Sequence, residues 1–286
     1  MMGHRIVRAL WGDLRGEELK KFIFLAIGFF FLIGSFWPLK TIKDSVFLTV
    51  VGSKHQPFAK GLSLVLFLPL VLIYSRLIDH FSKENMIYLL ISIYSVLGLL
   101  FVYLLRHPHY GLANTTQGPE RLIGWGLYLF VESYISLMVS LYWAFINDVT
   151  TPESAKKGYG LIIFGAQLGG TLFTILGRYL SSDPTQYQTQ IPIIALISVL
   201  FFSAIALVVF TLTHFVSKKN LAGYQEHNHK IDEVKKPSVG FFEGLRLLLK
   251  CKYVGGIFGL VFFHEVISAV MHYQMFVLVE TTFNKD

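Results

Sequence analysis

A few charges set in apolar sequence carry whatever chemistry this 286-residue chain performs. Glu132 stands alone among the apolar residues of 122–147. Ten residues inside a spanning helix, a carboxylate lies about 15 Å deep, near the middle of a hydrocarbon core about 30 Å thick. Insertion of a charged group there costs about 2.5–3.5 kcal/mol, so by default it marks a substrate or ion site. The structural alternative is a packing carboxylate, hydrogen-bonded to a neighbouring helix or to Ser133 or Ser136 beside it. A second group follows Pro38, where Lys40, Lys43 and Asp44 share one helical face by their spacing of three and four. Lys43 falls about 13 Å inside the end of its helix. Ammonium groups in a water-filled cavity there would bind an anion such as phosphate, with Pro38 free to kink the helix. Alternatively both lysines snorkel to the interface and Asp44 pairs with Lys40.

Tyr128, Ser136 and Tyr142 fall on the Glu132 side of the same helix, as substrate-lining residues or as plain packing. Asn147 and Asp148 close that helix, and Thr151-Pro152-Glu153 has the form of a helix start, with an N-cap, a proline at N1 and an acid in the first turn. Gly158, Gly160, Gly165, Gly169 and Gly170 give small-residue spacing for close helix packing, and Gln167 among them could reach a substrate. His107 and His109 flank Pro108, and His227 and His229 lie in a polar loop; both pairs lack acidic or thiol neighbours and read as solvated. The sequence carries no nucleophile–base constellation, phosphate-cradling glycine loop or paired-histidine metal motif, so neither an enzyme nor a cofactor protein is expected.

The elements that must position these groups are membrane spans. Hydrophobic residues make up 53% of the chain and charged residues only 15%, against about 25% in soluble proteins. Mean hydropathy is +0.56. Apolar stretches long enough to span occur at 22–51, 57–79, 85–105, 122–147, 158–180, 191–216 and 253–280. No small-residue cleavage site follows the first, which therefore reads as a span and not as a removed leader. The single cysteine, Cys251, rules out an internal disulfide. Net charge is +7, but with the N-terminus inside most of the 25 Lys and Arg fall on the cytoplasmic side. The positive-inside rule selects that orientation, so the basic balance reflects topology and lipid contact, not nucleic acid.

The pattern divides into three parts: a six-helix bundle (1–216), a cytoplasmic loop with an amphipathic helix at 238–253 (217–252), and a seventh span that begins a second bundle (253–286). An all-α membrane protein, the first half of a twelve-helix major-facilitator-like transporter, is the expected fold. The 76–83 loop resembles the signature loop of major-facilitator proteins without its glycines.

In their order these pieces resemble the ATP/ADP translocase (TLC, nucleotide transporter) family of obligate intracellular bacteria and plastids. The resemblance rests on Lys43-Asp44 within 39–46, and on Val131-Glu132-Ser133 leading through Tyr142-Trp143 to Asn147. It also rests on the Ala155-Lys156-Lys157-Gly158-Tyr159 turn, and on Phe241-Phe242-Glu243-Gly244-Leu245 with Lys250-Cys251-Lys252-Tyr253 before span seven. It implies strict counter-exchange of ATP and ADP without chemistry, in a bacterial inner membrane. Lys43, Glu132, Lys40, Asp44 and Asn147 would then bind substrate. The family's further charged contacts lie in helix seven and beyond, where this chain has Glu265, His272 and Glu280. Two other readings stay open. One is a major-facilitator-like carrier of another organic anion or solute. The other is a non-transporting half that pairs with a second half or with its own copy.

Overall fold

The computed structural model describes residues 14, 16–180, 186–216, 221, 246 and 248–283. Seven long helices run in order: α1 (Gly16–Val50), α2 (Gln56–His80), α3 (Lys83–Arg106), α4 (Leu122–Val149), α5 (Pro152–Leu180), α6 (Tyr187–Phe215) and α7 (Lys252–Phe283). A short 3-10 turn, Ser53–His55, joins the first two. Each of the seven is long and apolar enough to cross a membrane, and the described residues contain no strand. The all-α membrane class read from composition is the class found. Except for Leu221, the polar 217–236 loop lies outside the described residues, as do residues 238–245 and 247 of the expected amphipathic helix, while Arg246 and Leu248 to Lys250 are helical.

Several helices run past their apolar stretch. α1 begins at Gly16 and not at residue 22, because Glu17, Glu18, Lys20 and Lys21 form a helical turn ahead of the apolar run. α5 begins at Pro152 and not at 158, with the Ser154 amide donating to the Thr151 hydroxyl at 3.3 Å as the start signal requires. α1 continues as helix through Pro38. Hydropathy marks where lipid begins; hydrogen bonding continues the helix into the interface.

α1 is the centre of the packing and lies against α4, α5 and α6, while α3 fills the side between α4 and α6. Its buried residues Phe22, Leu25, Phe29, Leu32, Ser35, Leu39, Lys43, Val46 and Val50 recur at three- and four-residue steps, so one cation occupies a place in a largely apolar stripe. Helix association in lipid depends on packing, which rewards small residues at crossings. α1 and α5 meet in this way. A methyl group on Gly165 would come 2.6 Å from the Ala26 carbonyl oxygen, and one on Gly169 would overlap the Phe30 carbonyl. The Ser35 and Tyr134 hydroxyls, 2.7 Å apart, join α1 to α4 within the core. α2 and α7 are much less covered; no residue in the most apolar stretch of α7 is buried, and its main neighbour is the 53–55 turn.

The 107–121 connection is folded around Arg121, which is 8% exposed. Its guanidinium donates to the carbonyls of Asn114 (2.8 Å), Thr116 (2.7 Å), Tyr110 (3.1 Å) and Gly111 (2.7 Å). His107 accepts from the His109 and Tyr110 amides, a local turn contact. Arg121→Ala strands four carbonyls and is expected to cost about 1.5–3 kcal/mol, the range for a charged hydrogen-bonding partner. A lowered melting temperature and faster proteolytic cutting within 107–121 are the measurements that check it.

Candidate functional site

Near the end of the bundle that carries the 107–121 connection, α1, α2 and α4 bring charged side chains together. Tyr128 and Glu132 are four residues apart on α4 and therefore face the same way. Lys43 reaches them from α1. Its ammonium lies 2.5 Å from Glu132 Oε1, 3.1 Å from Asp44 Oδ1 and 4.3 Å from the centre of the Tyr128 ring. Lys43 is 3% exposed and Glu132 18% exposed, so this ion pair is held in the packed interior. The partner of Glu132 is thus on another helix, not Ser133 or Ser136. Ser133 donates to the Phe130 carbonyl at 2.9 Å.

Lys60, one turn into α2, is the cation that the sequence reading did not single out. It lies 3.4 Å from Glu132 Oε2 and is 51% exposed. Its placement did carry a signal, since a cation near a helix N-terminus opposes the macrodipole and needs another reason to be there. Lys40 leans over the Trp37 and Phe36 rings at 5.3 and 5.9 Å. Asp44 pairs with Lys43, so the alternative in which Asp44 pairs with Lys40 is not the arrangement found.

These groups line one cavity of about 510 Å³, within the range of small-molecule sites. Lys40, Lys43, Asp44, Lys60, Tyr128 and Glu132 all contribute, together with one face of α7. On α1, α2 and α4 three ammonium groups face two carboxylates, so that wall carries a spare positive charge, while Glu265 on α7 brings a third carboxylate to the facing wall. The lysine-bearing wall favours an anion. Glu132 already occupies the anion position between Lys43 and Lys60. An incoming phosphate can therefore take over the looser Lys60 contact before it disturbs the tighter Lys43 pair.

Asn147 is not brought into this cavity. It lies fifteen residues further along α4, about 22 Å away along the helix axis, and accepts a hydrogen bond from the Tyr159 hydroxyl of α5. At that end Lys83 pairs with Asp148 at 2.5 Å and the Ser154 hydroxyl donates to Glu18 at 2.5 Å. Tyr142 is buried and donates to the Leu25 carbonyl, and Gln167 faces outward on α5, so neither lines the cavity. Among the described residues there is no cluster of three or more His, Cys, Asp or Glu able to hold a metal ion.

A family model, the TLC ATP/ADP transporter, matches residues 4–118 and 124–275. ADP,ATP carrier protein 5 of Rickettsia prowazekii (strain Madrid E) is 25% identical across 86% of this chain and 55% of its own length. ADP,ATP carrier protein 1 of the same organism is 24% identical, across 87% of this chain and 54% of its own length. ADP,ATP carrier protein 4 of Rickettsia bellii (strain RML369-C) is 28% identical over 56% of this chain and 34% of its own length. The chain spans about half, or less, of the length of these relatives. No solved structure gives a significant match.

Proposed function

The chain belongs to the TLC ATP/ADP transporter family, and from that premise we propose that it exchanges ATP for ADP across a bacterial inner membrane, with its N-terminus in the cytoplasm. The observation that carries this reading is the meeting of Lys40, Lys43 and Lys60 around Glu132 in the 510 Å³ cavity. Lysines hold polyphosphate as point charges on flexible stems, which suits a site that must release its cargo. The names of the relatives, all ADP,ATP carriers, support a nucleotide as that cargo. Asp44 holds Lys43 in place while Glu132 gives way. The concentration of Lys and Arg on one side supports the orientation.

Transport on this reading is alternating access. A second bundle packs on the exposed faces of α7, and the two bundles rock about the cavity between them. The empty carrier neutralises its own lysines through Glu132, and the loaded carrier does so through phosphate.

Initial-rate uptake of labelled ATP by the reconstituted full-length protein tests the site. Lys43→Ala is expected to abolish uptake. Lys60→Ala is expected to raise KM about tenfold while largely keeping the maximal rate, the loss of roughly 1.4 kcal/mol of binding. An unchanged KM in both variants, with competition by non-nucleotide organic anions alone, would assign the cavity to a different solute.

A further inference from the structure

Among the described residues two buried side-chain polar atoms have no hydrogen-bond partner, Gln56 Oε1 and Ser95 Oγ. Ser95 lies on α3 and does not line the 510 Å³ cavity. Gln56 is the first residue of α2 and does line it, one helical turn before Lys60. It also borders an adjoining cleft, shared with Asp44, Ser53, Tyr128 and Phe276, that is too narrow to hold a water molecule. A covered acceptor without a donor costs more stability than a made hydrogen bond contributes. The Gln56 side chain as a whole is only half-buried, so its amide can turn toward the cavity. A half-turn about the terminal bond exchanges the amide oxygen and nitrogen.

The surroundings decide what that amide can meet. The Asp44 carboxylate lines both spaces with it and holds Lys43 at 3.1 Å. A carboxylate and an amide oxygen at one corner disfavour phosphate, which at neutral pH brings acceptor oxygens and negative charge. They favour a neutral group that donates. Lys60, on the same face of α2, stands about 6 Å from Gln56 along the helix axis. In a nucleotide the sugar hydroxyls adjoin the phosphate chain, whereas the exocyclic amine sits at the far edge of the base. A phosphate on Lys60 therefore brings a sugar hydroxyl, not the base, to the Gln56 corner. A hydroxyl both donates and accepts, so it satisfies the amide in either orientation.

We propose that Gln56 reads the ribose: its amide pairs with the 2′- or 3′-hydroxyl, and the carrier thereby distinguishes ribonucleotides from their deoxy analogues. The proposal rests on the reading of the site as a nucleotide carrier and adds the sugar to what that site recognises. An analogue without the hydroxyl leaves Gln56 unpaired, which is what makes a hydrogen-bonding site selective.

Competition against labelled ATP uptake by unlabelled ATP, 2′-deoxy-ATP and 3′-deoxy-ATP tests it on the full-length protein. Wild type is expected to favour ATP about tenfold, or roughly 1.4 kcal/mol, over the analogue that lacks the hydroxyl being read. Gln56→Met keeps the length of the side chain without its amide, and is expected to accept both analogues as well as ATP. Its melting temperature should equal or exceed that of wild type, because an unsatisfied acceptor has been removed. Gln56→Glu keeps acceptor oxygens in that place and should retain the preference for ATP. Nucleotide exchange with no preference in wild type, or with an undiminished preference in Gln56→Met, overturns this inference alone. Loss of the preference in both variants would assign the effect to packing and overturn it as well. If folded wild type takes up no nucleotide, both readings fall together.

Discussion

Glu132→Ala is expected to abolish nucleotide exchange and to destabilise the fold by about 3 kcal/mol, the low end of the cost of leaving a buried charge without its partner. The low end applies because Lys43, 3% exposed, keeps Asp44 at 3.1 Å as a second counter-ion. A structural ion pair and a transport site predict different outcomes when both charges are removed. Replacing a buried pair with apolar residues of similar volume is often neutral, or stabilising by about 1–4 kcal/mol. Lys43→Met with Glu132→Leu is therefore expected to recover the melting temperature lost in Glu132→Ala and to remain without exchange. Exchange restored together with stability would show that the pair only holds α1 to α4.

Gly169→Ala is the second large effect, and it acts through packing alone. The added methyl group meets the Phe30 carbonyl of α1. Backbone on both sides leaves no flexible side chain to give way. Overpacking of this kind costs about 1–3 kcal/mol, and the upper part of that range is expected because two spans must separate along their whole crossing. Thermal denaturation in detergent should show a clear loss of stability. Gly177→Ala on the same helix, with open space around its added carbon, should show none. Similar melting temperatures for the two variants would contradict a close α1–α5 approach.

The parts of this architecture that were legible in the sequence are those set by composition. Seven apolar stretches became seven helices, and the small residues of 158–170 gave the close α1–α5 crossing. Glu132 and Lys43 stood out because a lone charge in an apolar run has few explanations. What sequence could not give is who meets whom. Lys43 and Glu132 are 89 residues apart and Lys60 and Glu132 are 72 apart, distances over which no local periodicity speaks. Lys60 escaped notice for another reason: it sits near a span end, where lysines are ordinary, and only its position at the positive end of a helix dipole was unusual. Asn147 shows the converse. It closes the Glu132 helix in sequence, but that helix carries it about 22 Å along its axis from Glu132, where it meets Tyr159. Glu265 and His272 were visible as polar residues of span seven, and only the folded chain places them across a cavity from the lysines.

Uptake of labelled ATP into liposomes carrying the full-length protein, with and without ADP inside, tests the central claim most directly. Uptake that requires internal ADP, is absent from empty vesicles and disappears in Lys43→Ala is the result this account predicts. Equal uptake into empty and ADP-loaded vesicles, or none at all by a folded wild-type protein, would contradict it.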